Sequence, residues 1–183
     1  ATLGLVDKLE GNMIIPSITN INLLEILTDP NKTMEKNRAT HIIDLKAFFN
    51  IVYPNWSDKI ISLFTSTLNK YYDQDTKPTL NRYIQYLKDE FNGSNETEKE
   101  LLNYIRDFAL LNESYSNESD VAFNFDNTLT SISFSQVKNQ SNFQAHLFWI
   151  IKYTNFRVTL NRVDNACISY LKKEFLKYIN DFI

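Results

Sequence analysis

Apolar side chains recur every three to four positions along most of this chain, and only three glycines and four prolines interrupt its 183 residues. No other feature constrains the fold as much. That spacing places the apolar residues on one face of an α-helix. A many-stranded sheet needs frequent turn residues, which are scarce here. The expected fold class is therefore all-α, with about seven helices. Asn20 caps a short helix carrying Leu23, Leu24, Ile26 and Leu27, which stops at Asp29-Pro30. A second runs from Met34 to Val52, with Ile42, Ile43, Leu45, Phe48, Phe49 and Val52 on a broad apolar face, and ends at Tyr53-Pro54 because the residue before proline avoids helical angles. Ser57 caps a third helix with Ile61, Phe64 and Leu68. Thr79 starts a fourth with Leu80, Tyr83, Ile84, Leu87 and Phe91. Thr97-Glu98-Lys99-Glu100 reads as a capping box before Leu101, Leu102, Ile105, Phe108 and Leu111. A sixth begins near Ser141 with Phe143, Leu147, Phe148, Ile150 and Ile151. The last starts near Leu160 and carries Val163, Cys167, Leu171, Phe175, Tyr178 and Phe182.

Helix starts spaced by roughly twenty residues fit either an irregular bundle or a short HEAT-like stack, whose unit is a helix pair of about 40 residues. One domain spanning 1–183 is expected, with a possible division into 1–112 and 113–183. The chain begins on Ala1 and ends on Asp181-Phe182-Ile183, still within a helical pattern, so it reads as a piece of a longer protein.

Residues 121–134 break the helical rhythm. Val121, Phe123 and Phe125 alternate with polar neighbours, Ile132 and Phe134 do so again, and Asp126-Asn127-Thr128 lies between. Period two on both sides of turn residues predicts a β-hairpin. The run Asn124-Phe125-Asp126-Asn127-Thr128-Leu129-Thr130 also resembles the first motif of haloacid-dehalogenase-type phosphatases, an apolar strand followed by Asp-x-Asp-x-Thr. The resemblance implies an aspartyl nucleophile, a second Asp handling the leaving-group proton, and Mg²⁺ on the phosphate. Asn124 stands at the nucleophile position, and an amide cannot form the covalent aspartyl-phosphate. The motif covers about ten residues and is followed by two helical patterns rather than further strand–helix units. The chain reads as a degenerate relative of such phosphatases at most.

Other chemistry is sparse. The only cysteine, Cys167, sits in a helical stripe as a small apolar residue. His41 and His146 lie in apolar helices far apart in sequence, and zinc needs several His or Cys at short spacing. Asp73-Gln74-Asp75 lacks the glycine and distal glutamate of a calcium loop. No glycine-rich phosphate loop occurs. No apolar run approaches the about 20 residues that span a bilayer. Asn-x-Ser/Thr occurs at Asn31, Asn55, Asn92, Asn95, Asn112, Asn117 and Asn139, which 22 asparagines produce by composition. The expected setting is intracellular, cytoplasmic or nuclear, with no membrane, metal or cofactor and no catalytic residues.

Two surfaces remain as candidates. Residues 127–163 contain no acid and carry Lys138, Lys152, Arg157 and Arg162 beside Phe148, Trp149, Tyr153 and Phe156. Cations beside aromatics can hold phosphates and stack bases, although the same aromatics fall at core spacing. The last helix adds Ile168, Tyr170, Leu176 and Ile179 to its main stripe, an arc wider than one surface helix needs. The expected function is a non-enzymatic module, a scaffold or complex subunit that binds another protein through an apolar helical face. The alternative is a nucleic-acid-associated subunit using residues 138–162.

Overall fold

The computed structural model describes residues 12–16, 18–29, 31–74, 77–91, 93, 95–119, 130–134 and 143–160. Among them the chain is mainly helical, with helices α1 Met34–Val52, α2 Asp58–Gln74, α3 Leu80–Glu90, α4 Glu96–Leu111 and α5 Phe143–Leu160, a 3₁₀ turn at Glu113–Tyr115, and strands β1 Asn12–Ile14 and β2 Thr130–Ile132. The spacing-based assignment anticipates all five helices. Thr33 Oγ1 accepts from the Lys36 amide and Thr79 Oγ1 from the Arg82 amide, capping α1 and α3. Ser57 Oγ accepts from the Ile60 amide at the start of α2. For α4 the expected capping box is displaced by two residues. Asn95 is the cap, its side chain accepting from the Thr97 amide, and Glu96 and Glu98 sit in the first turn where the helix dipole favours them. After α3 the chain reverses through Gly93 at φ 73°, a left-handed value costly for any residue with a Cβ.

Five α-helices stand where seven were expected. The seventh, from 160 to the end, lies outside the described residues. The first is a correction: residues 20–29 are not helical. Their backbone is held by distant partners, with the Ile21 amide on the Ser114 carbonyl at 2.7 Å and the Leu23 amide on the Tyr115 carbonyl at 3.4 Å. The Asn22 side chain accepts from the Leu24 amide and donates to the Pro78 carbonyl, which locks a local turn instead of an i→i+4 ladder. Ile21, Leu23 and Leu24 are completely buried by this segment, so their apolar pattern reports burial from several sides rather than one helix face.

The expected hairpin is also corrected in its described part. Residues 121–129 lie outside the described residues, but the second arm pairs in parallel with β1, Asn12 opposite Thr130 and Ile14 opposite Ile132. Parallel strands need a crossover, and here the crossover holds α1 to α4. A local period-two pattern cannot reveal a partner more than a hundred residues away.

The helices pack as α1 on α2 and α5, with α4 against both α2 and α3. Phe48 and Phe49 sit at the middle. Phe48 meets Phe108, Tyr115 and Trp149 edge-on with ring centroids at 5.5, 6.0 and 5.7 Å. Phe49 stacks on Trp56 at 5.3 Å and meets Phe64 and Phe108 edge-on. Adjacent residues on α1 thus reach different neighbours, Phe48 toward Trp149 on α5 and Phe49 toward Phe64 on α2, and share Phe108. Tyr83 carries the α2–α3 contact: its hydroxyl lies 2.6 Å from Thr67 Oγ1, which donates its own proton to the Leu63 carbonyl, so Tyr83 is the donor. Tyr83→Phe leaves a buried acceptor on Thr67 unpaired. It is expected to lower unfolding free energy by about 1–2 kcal/mol, read from the urea midpoint at constant slope.

Candidate functional site

Position along α1 decides what this helix shows to solvent. Asn37, His41, Ile42, Leu45, Phe48 and Phe49 face inward. At 100° per residue the opposite side carries Lys36, Ala39, Thr40, Ile43, Asn50 and Ile51, all exposed. Ile43 is 64 % exposed, which corrects its expected place on the buried face. After Lys36 the fully exposed residues of this line are uncharged, and the partly exposed Asp44 and Lys46 lie along its two margins. Leu110 and Leu111 at the end of α4 are also exposed, Leu111 at 83 %, contrary to its expected place in the α4 stripe. Both helices had more apolar positions than one buried face can take, and spacing alone did not show which would be left over.

The α1–α5 junction contains the buried histidines. His41 meets Trp149 edge-on at 5.7 Å and Tyr72 at 6.1 Å. Burial pushes its imidazole down to about 3, against a smaller opposing pull from the Leu23 carbonyl. His146 Nδ1 lies 2.8 Å from the Tyr115 hydroxyl, with the rings stacked at 5.1 Å, and burial holds it at about 4. Both rings are therefore neutral at neutral pH. Beside His41 is a cavity of about 70 Å³. A wider cleft of about 610 Å³ lies between the 22–26 segment, the start of α1 and the end of α2, with Ile26, Met34, Tyr72, Glu25, Asp73 and Glu118 among its walls. Asp73 Oδ1 accepts from Arg38 at 2.6 Å. Among the described residues no three His, Cys, Asp or Glu side chains come together as a metal site, and no described helix is long and apolar enough to cross a membrane.

Of the expected phosphate-binding cations only the Lys152 side chain is described. Its ammonium lies 2.7 Å from Asp44 Oδ1 and 5.7 Å from the Phe148 ring centroid, so its charge is already compensated by α1. Arg157 is on α5, but its side chain is outside the described residues, as are Lys138 and Arg162. Ile168, Tyr170, Leu176 and Ile179, the expected partner-binding residues, also lie outside them, as does the phosphatase-like motif up to Leu129. Trp149 and Tyr153 are core residues.

No family model matches this chain, and no curated protein matches it. Among solved structures its fold is similar to that of VirB4 of Thermoanaerobacter pseudethanolicus, with a TM-score of 0.73 at 16 % identity, covering 90 % of this chain and 68 % of that one.

Proposed function

We propose that this chain is a non-enzymatic helical module of a larger assembly and that it binds another protein through the outward face of α1. The observation that carries this reading is the uncharged exposed line Ala39, Thr40, Ile43, Asn50 and Ile51 on a helix whose other side is fully committed to the core. A long uncharged face at the surface is what a partner helix or sheet covers. The likeness to VirB4 supports the modular part: about a third of that chain has no counterpart here, so a fold of this kind occurs inside a longer polypeptide. Against the nucleic-acid alternative stands the pairing of Lys152 with Asp44.

The test is purification from the native cell with and without Ile43→Asp and Ile51→Asp. A stoichiometric protein partner is expected, with amide exchange across 39–51 slowed in the complex. The doubly substituted chain is expected to lose the partner, and Ile43→Asp alone, at a position 64 % exposed, is expected to weaken binding while its unfolding transition moves by no more than about 0.5 kcal/mol, as for exposed sites generally. A partner that leaves 39–51 unprotected, or binding that falls steeply with salt, overturns the reading.

A further inference from the structure

The wider cleft, of about 610 Å³, carries three carboxylates on its lining, Glu25, Asp73 and Glu118. They are not equivalent. Asp73 accepts from Arg38 at 2.6 Å, so its charge is compensated from α1. Glu25 accepts from a hydroxyl, Ser119 Oγ at 2.8 Å, and that oxygen in turn accepts from the Asn22 amide at 2.9 Å. These bonds fasten residues 118–119 to the 22–25 segment and hold Glu118 on the same lining as Glu25. Among the described residues neither glutamate forms an ion pair. Lys77 is the one cation among the described lining residues, so carboxylates outnumber cations three to one. Like charges on one lining repel, and a cation between them relieves the repulsion. Ile26, Met34, Tyr72 and Pro78 supply apolar surface to the same cleft, and Met34 is 58 % exposed. A Lys or Arg side chain fits such a mixture, its stem against apolar surface and its charged head on a carboxylate. Apolar neighbours beside the cation are what a polypeptide brings and a metal ion or free polyamine lacks. Among the described residues no three potential ligands gather as a metal site.

We infer that this cleft docks a basic segment of a partner polypeptide, with Glu25 and Glu118 holding Lys or Arg side chains and Ile26 and Met34 receiving their stems and apolar neighbours. At 100° per residue Met34 and Ile43 fall on opposite sides of α1. The cleft is therefore a second surface, and its failure leaves the reading of the outward α1 face untouched.

The experiment is NMR on the ¹⁵N-labelled chain, titrated with the peptide acetyl-Leu-Arg-Leu-Arg-Leu-amide. Saturable shifts are expected at the amides of 22–26, 72–74 and 118–119. The same peptide with citrulline for arginine keeps the shape and loses the charge, and is expected to bind roughly tenfold more weakly. Glu25→Gln with Glu118→Gln is expected to weaken the arginine peptide similarly, since the amide oxygen at 25 can still accept from Ser119. The citrulline comparison uses the unsubstituted protein, so a poorly folded variant leaves the test intact. Equal binding of the two peptides, or no saturable shift at these amides, overturns the inference. Spermine shifting the same amides as strongly as the arginine peptide also overturns it, because the site then selects a free cation rather than a polypeptide.

Discussion

Acidification from pH 7 to pH 5 is expected to remove about 4 kcal/mol of stability, a large share of the roughly 5–15 kcal/mol that a domain possesses. The cause is the pair of buried imidazoles. His41 titrates near 3 and His146 near 4 in the folded chain, against 6.5 for a free side chain, because burial disfavours the charged ring. Both folded values lie below the unfolded one, so the unfolded state takes up protons first as pH falls. Stability is complete above pH 6.5 and declines below it. The decline continues until the folded rings themselves protonate, near 4 for His146 and near 3 for His41. At pH 5 each unfolded ring is almost fully protonated and each folded one almost fully neutral, which is worth about 2 kcal/mol apiece, and the slope approaches 2.7 kcal/mol per pH unit. Urea unfolding at pH 7, 6 and 5 measures it. His146→Gln is expected to halve the slope whatever it does to stability at pH 7. A midpoint unchanged between pH 7 and pH 5 contradicts the neutral, buried state of both rings.

The same rings show where the sequence was legible. His41 and His146 sit in strongly apolar helical stretches, and that alone predicts buried, uncharged side chains. What spacing cannot predict is their neighbours: Tyr115, the partner of His146, lies in a 3₁₀ turn that carries no periodic signal. The five helices were legible because each has an apolar line several turns long, and α2, α3 and α4 also have a capping residue near their start. The segment holding Leu23 and Leu24 misled because a residue buried on all sides looks, in a short window, like one on a helix face. The three-residue strands are too short to display a period, and β1 finds β2 only through the crossover. The candidate face on α1 was illegible for a related reason. Ile42 and Ile43 are adjacent in sequence and equally apolar, yet the 100° turn between them puts one in the core and the other in solvent.

Truncating Phe49 tests the packing that this division of α1 implies. Phe49 has no exposed surface, and its ring touches those of Phe48, Trp56, Phe64 and Phe108. Phe49→Ala deletes an entire ring among neighbours that are themselves wedged edge to face, so the space collapses little. The expected loss is about 3–5 kcal/mol, measured as the change in unfolding free energy. Phe48→Ala is expected to cost a similar amount through different contacts, since it releases Trp149 on α5 and Tyr115. The two variants are distinguished by amide exchange. Phe49→Ala accelerates exchange chiefly in α2 and around Trp56, and Phe48→Ala chiefly in α5. Both rings also pack on Phe108 and on each other, so the double variant is expected to lose less than the sum of the two single losses. Ile43→Ala, six residues before Phe49 on the same helix, removes a branched side chain of comparable hydrophobicity from solvent and is expected to move stability by no more than about 0.5 kcal/mol. An Ile43→Ala loss approaching that of Phe49→Ala places Ile43 in the core and removes the exposed apolar line from which protein binding is inferred.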